Sequence, residues 1–213
     1  MSFLDKIKSG SELTVTTYGP SRQNDEELQT LVNELSLHYG IEDFAPILFT
    51  LVKDLILNGY KANFKRIFFL EKRLNIDSPG EYEIGIRQFK SLMQQGKTST
   101  YDEKAKSQGF FVELSVKHSS DEIFAQVSNN NPLAVGEMAK IKHSLFHSQN
   151  YNDIMEYYIE RGDNSEGEGI GIALCVILLK GEGLPTNGFQ IKSQNGQTIA
   201  SLRIPLAPLR SQN

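Results

Sequence analysis

Thr50, Asp54, Asn58 and Lys61 follow one another at spacings of four, four and three, so on a helix they stack along one edge. Leu48, Leu51, Val52, Leu55 and Ile56 form the neighbouring apolar face. The column offers a carboxylate, an amide and an ammonium, although a polar stripe of this sort is also what a solvated helix face looks like. A second candidate is SEGEGIG, residues 165–171, where Gly167, Gly169 and Gly171 alternate directly before the apolar run IALCVILL. Glycine lets the backbone approach an anion closely, and the free amides at a helix start then face phosphates. Taken alone, such a run equally describes a flexible connection.

Elements able to position these groups are legible around them. Residues 11–19, SELTVTTYG, alternate as a strand and end in a Gly-Pro turn signal. NDEELQTLVNELSLH, 24–38, reads as a helix capped by Asn24 and closed by Gly40, with Leu28, Leu31, Val32 and Leu35 at helical spacing. The pattern carrying the polar stripe runs from Asp43 to about Leu74, with Pro46 in its first turn, where proline is tolerated. Residues 75–108 read as an insertion, with a helical stretch around YEIGIRQFKSLMQQ and then a polar, mobile piece. FFVELSVKH and EIFAQVSN predict paired strands, and EMAKIKHSLFH and NDIMEYYIE predict helices. The loop RGDNSEGEG leads into the helix IGIALCVILLKG, and FQIKSQ and QTIASLRIPL close the chain as a hairpin at Asn195-Gly196. This order predicts an α+β fold, a two-layer α/β sandwich with a mixed, mostly antiparallel sheet covered by helices on one face.

Bulk properties narrow the function classes. The 213 residues, 39% hydrophobic and 23% charged, suit one domain, 1–213, with the insertion at about 75–108. A net charge of −4 leaves no broad cationic surface for a phosphate backbone, so nucleic acid is not an expected partner. MSFLDKIKSG lacks the apolar run of a secretory signal, and no stretch reaches the roughly 18 apolar residues of a membrane span. The chain reads as cytoplasmic. Its one cysteine, Cys175, sits in IALCVILL and reads as an inert core thiol. His143 and His147 are four apart, a spacing able to bind a metal, but no third ligand is apparent.

The order of these features resembles the Bergerat, or GHKL, ATPase family of gyrase, heat-shock chaperone and sensor-kinase modules. LVKDLILNGYKAN, 51–63, looks like the family's N box. The resemblance implies Mg²⁺ at Asn58, a nucleotide-binding lysine at Lys61, where sensor kinases often carry one, and at Asp54 the acid that activates a nucleophile. VSNNNPLA, 127–134, is similar in position to the first glycine box, with Asn129 where the adenine-reading aspartate stands and Asn131 and Leu133 in place of glycines. GEGIGIALCVILLKG resembles the second glycine box, and GQTIASLRIP the closing strand, with Thr198 seven residues before Pro205 as the adenine-holding threonine. His38 precedes the N box, where a sensor kinase carries its phospho-acceptor, but its surroundings do not resemble that motif.

The resemblance implies a stand-alone ATP- and Mg²⁺-binding signalling domain, akin to histidine-kinase and anti-sigma-factor-kinase ATPase domains, with a partner protein as phospho-acceptor. An amide for the carboxylate at 129 turns a charge-assisted hydrogen bond into a neutral one, a loss on the order of 1 kcal/mol. A left-handed backbone at Leu133 would cost about 1–2 kcal/mol, so the 129–134 loop is expected to take a shape of its own. Glu166 and Glu168 would repel a polyphosphate unless they face solvent or share Mg²⁺ with it. Lys61, Lys65 and Arg66 offer compensating charge, although cations gather at helix C-termini for structural reasons too. These departures leave a second expectation, a pseudo-ATPase that serves protein interaction and binds nucleotide weakly or not at all.

Overall fold

Alternation along five strands puts one row of apolar side chains on a single face, and the helices cover it. Val112, Leu114 and Val116, then Ile123, Ala125 and Val127, then Leu202 and Ile204 are all buried. A computed structural model describes residues 2–96, 98–134, 136–161 and 170–211. The strands are β1 (Leu13–Thr17), β2 (Val112–His118), β3 (Glu122–Asn129), β4 (Phe189–Gln194) and β5 (Gln197–Pro205). They lie in the order β1-β2-β3-β5-β4, and each neighbouring pair is antiparallel. The fold is the expected α+β two-layer sandwich.

The helices are α1 (Phe3–Lys8), α2 (Arg22–Tyr39), α3 (Ala45–Lys72), α4 (Pro79–Gln94), α5 (Tyr101–Gln108), α6 (Glu137–Ser148), α7 (Ile154–Arg161), α8 (Ile170–Gly181) and α9 (Ala207–Arg210). Leu31 and Leu35 of α2, Leu48, Leu51 and Leu55 of α3, and Cys175, Val176 and Leu179 of α8 join the strand residues in one core cluster. Among the described residues no helix is long and apolar enough to cross a membrane.

Local chemistry sets the boundaries, in three places differently from expectation. Helix α2 starts at Arg22 rather than Asn24, because Ser21 is extended and its Oγ accepts from Asn24 N at 3.1 Å. Asn24 instead donates its side-chain amide to Gly19 O. A 3₁₀ turn, Glu42–Phe44, precedes α3, which keeps Pro46 in its first turn and ends on Arg73 at φ 55°. The polar piece after α4 is the helix α5, not a mobile stretch: Tyr101 and Ala105, one turn apart, bury themselves in the core, and the Tyr101 ring lies 5.5 Å from that of Phe64. The insertion is therefore docked. On α4, Gly85 rests against the Phe69 ring and Phe89 is buried beside Phe68. Asn195 (φ 53°) and Gly196 (φ 75°) both have positive φ, as a two-residue hairpin requires.

Candidate functional site

Helix α3 carries the polar stripe, and the first turn of α8 packs directly on it. A Cβ built on Gly171 would stand 3.0 Å from Asp54 Cγ and 3.1 Å from Asn58 Nδ2. Only a residue without a side chain fits there. Two segments distant in the chain, each singled out for its chemistry, thus meet. Asn58 Nδ2 donates to Asp54 Oδ2 at 2.9 Å, one turn away on the same helix. With Asp54 ionised its oxygens only accept, so the amide presents nitrogen to Asp54 and keeps Oδ1 for another partner. A hard cation such as Mg²⁺ takes oxygen ligands of this kind. Burial raises the Asp54 pKa above the ordinary carboxylate value, against the opposing charge of Lys61 and the Asn58 hydrogen bond. Gly167 and Gly169 lie outside the described residues, as do Glu166 and Glu168.

The sheet supplies a second group. Asn129 at the end of β3 and Thr198 on β5 are register partners, and both line a cleft of about 490 Å³ together with Asn58, Lys61 and Gly171. Asn63, fully buried on α3, organises this end. Its Nδ2 donates to Phe111 O at 3.0 Å, and its Oδ1 accepts from Asn131 Nδ2 at 2.8 Å and Asn129 Nδ2 at 3.3 Å. The bond to Phe111 fixes which way Asn63 faces, and that fixes both other amides. Asn129 is thereby left with its Oδ1 as the acceptor still to be used. Asn131 does not line the cleft; besides bonding Asn63, its carbonyl accepts from Thr198 Oγ1 at 2.7 Å. The loop is held by asparagine side chains instead of glycine geometry, and Leu133 has no left-handed backbone.

Charge and apolar surface close the remaining walls. Lys65 pairs with Glu137 of α6, whose Oε2 also accepts from Ala134 N at 2.8 Å. Burial pushes the Glu137 carboxyl up, but Lys65, the Ala134 amide and Arg66 together hold it below the ordinary range. Arg66 donates to Pro132 O at 2.5 Å. The two cations at 65 and 66 therefore tie the 130–137 segment to α3. From α4 come Tyr82, Ile86, Phe89, Lys90, Met93 and Gln94, so the insertion forms one side of the cleft.

Asn63, Glu137 and the α4 wall were not singled out from the residues. Asn63 falls on the apolar side of α3, among Tyr60, Phe64 and Ile67, and a lone amide in that row was the available signal. Cys175 is fully buried, and burial together with the nearby Asp54 charge raises its thiol pKa. The singled-out histidines stand elsewhere. His143 and His147 lie side by side on α6 with ring centroids 4.1 Å apart, and His38 packs edge-on against Tyr39 at the end of α2.

Comparison with known proteins leaves the family open. No family model matches the chain, and no solved structure matches it. An uncharacterized protein of Treponema pallidum (strain Nichols) is 26% identical over 205 residues, covering 94% of this chain and 40% of that protein. The chain thus spans about two fifths of the length of that relative.

Proposed function

We propose that the cleft binds ATP with Mg²⁺ and that the chain is a signalling domain of the Bergerat ATPase type. The observation that carries this reading is the meeting of Asp54 and Asn58 with Gly171 beside a cleft that also contains the facing pair Asn129 and Thr198. In this reading Asn58 Oδ1 is a Mg²⁺ ligand and the first turn of α8, at Gly171, faces the phosphates. Asn129 Oδ1 accepts from the exocyclic amine of adenine, beside the Thr198 hydroxyl. Asp54 orients or deprotonates a hydroxyl presented by a partner protein, and its raised pKa suits a general base. The γ-phosphoryl group then passes to that oxygen and ADP leaves.

Calorimetric titration with ATP and Mg²⁺ tests the reading. Saturable heat is expected, and its absence at millimolar nucleotide ends the proposal. Asp54→Asn is expected to abolish phosphoryl transfer while leaving nucleotide affinity nearly intact; a parallel loss of binding removes the catalytic role assigned to Asp54.

A second reading, an interaction module with little or no nucleotide binding, draws on the loop at 129–134. There the amides of Asn129 and Asn131 are bonded to Asn63, and Lys65 and Arg66 fasten the following residues. The same titration separates the two, since the module gives no saturation.

A further inference from the structure

Asn129 and Thr198, side by side at the sheet end of the cleft, have their hydrogen-bonding sense decided by groups outside it. Asn63 is wholly buried on α3 and is not part of the cleft lining. A backbone carbonyl can only accept, so the bond to Phe111 O takes the Asn63 amino group and turns Asn63 Oδ1 toward Asn129 and Asn131. Asn129 meets that oxygen with its own amino group at 3.3 Å, and its Oδ1 is the atom it presents to the cleft. Thr198, the register partner of Asn129 on β5, is polarised in the same sense. Its hydroxyl proton goes to Asn131 O at 2.7 Å, so toward the cleft its Oγ1 offers lone pairs. Asn131 joins the two halves, with its side chain on Asn63 and its carbonyl on Thr198.

We infer that Asn63 is a positioning residue that sets base selectivity. It holds Asn129 as an acceptor beside the accepting Thr198, so this end of the cleft takes a hydrogen-bond donor, the exocyclic amine of adenine, and rejects the exocyclic oxygen of an oxopurine. An asparagine is by itself ambiguous, since turned over it donates to an oxygen as readily as it accepts from an amine. The buried Asn63 removes that ambiguity. An oxygen placed against two acceptors leaves both without a donor, which costs more than the hydrogen bond alone. The inference deepens the ATP reading and rests on it for the presence of a nucleotide.

The test is calorimetric titration of the full chain with ATP and with inosine triphosphate, each in Mg²⁺. Inosine triphosphate has the same sugar and phosphates but carries an oxygen in place of the exocyclic amine and a hydrogen on the adjacent ring nitrogen. The readout is the ratio of the two affinities, which a general loss of stability or of phosphate contacts leaves unmoved. The proteins are wild type, Asn63→Leu, Asn63→Asp, Asn129→Ala and, as a control on the exposed face of α2, Asn33→Leu, each checked for a native circular dichroism spectrum. Wild type and Asn33→Leu should favour ATP by at least about tenfold, the size of one hydrogen bond lost with its acceptors left unmade. Asn63→Leu and Asn129→Ala should bring the ratio close to one. Asn63→Asp keeps an oxygen toward Asn129 whether or not it is ionised, and should retain the preference. Equal binding of both nucleotides by wild type overturns the acceptor assignment while the nucleotide reading stands. A preference that survives in folded Asn63→Leu overturns the role of Asn63; should that variant not fold, loss of the preference in Asn63→Asp overturns it instead. If neither nucleotide binds wild type, the nucleotide reading ends and the inference falls with it.

Discussion

Gly171, in the first turn of α8, lies flat against the Asp54 carboxyl of α3, so close that a methyl group at 171 would stand 3.0 Å from Asp54 Cγ. Two helices approach here to a distance that only a missing side chain permits, and the approach brings a helix N-terminus to the Asp54–Asn58 pair. The consequences can be measured without assuming any ligand.

Gly171→Ala should destabilise the fold by about 1–3 kcal/mol, the usual range for overpacking a tight contact. The control is Gly181→Ala at the other end of α8, where nothing lies within 4 Å of an added Cβ; it should be neutral or stabilising by up to about 1 kcal/mol. Urea unfolding measures both. In a double-mutant cycle with Asp54→Ala, removing the carboxyl should recover much of the Gly171→Ala loss. An additive cycle would mean that the clash is not with Asp54.

Asn63 is the hub of the loop that follows β3. Asn63→Leu preserves volume but leaves Phe111 O and the amides of Asn129 and Asn131 without their partner. Each buried group left unsatisfied costs about 1–3 kcal/mol, so a total of at least about 3 kcal/mol is expected. Asn33→Leu on the exposed face of α2 should change stability by no more than about 0.5 kcal/mol. Equal denaturation midpoints for the two variants would dismiss the hub.

How much of this was legible in the residues depends on the range of the interaction. β3, β4 and α8 appear where alternation and the apolar run put them, and the Asn195-Gly196 turn follows from backbone preference alone. Helix α5 was missed because it has only two buried residues, Tyr101 and Ala105, in an otherwise polar octet. Its stability comes from docking on α3, which local composition does not record. The site divides the same way. The stripe on α3 and the glycine at 171 were visible as residue types, whereas Asn63 reads as an interruption in an apolar face. The pairing of Lys65 with Glu137 joins segments 72 residues apart, and nothing in either local pattern names the other.

That ion pair makes a pH-dependent prediction. Lys65 and Glu137 are both largely buried, with side-chain exposures of 15% and 14%, so removing one partner strands the other. Glu137→Gln should cost about 3 kcal/mol at neutral pH. Because the folded-state pKa of Glu137 is held below its ordinary value, the native carboxylate contributes stability above the unfolded-state pKa and loses it as pH falls through the folded one. The gap between wild type and Glu137→Gln should therefore be full at pH 7 and narrow in acid below the usual glutamate range. Urea titrations at several pH values measure it, and a gap independent of pH would contradict the assignment of that charge to the fold.

Asp54 predicts the opposite sign. Burial raises its folded pKa above the ordinary 3.8, so the folded chain binds a proton that the unfolded chain has already released. As pH climbs from the unfolded value through the raised folded one, ionising Asp54 costs the fold stability, and above that window the full penalty remains. Asp54→Asn removes the penalty, and its oxygen can still accept from Asn58 Nδ2. The variant should unfold at higher urea than wild type at neutral pH, with the advantage disappearing as pH drops toward 3.8 and both chains carry a neutral group. A variant less stable than wild type at pH 7 would mean that the Asp54 charge is compensated in the native molecule, by Lys61. A stabilising Asp54→Asn would identify a carboxylate held at a cost to the fold, as expected of a group retained for chemistry.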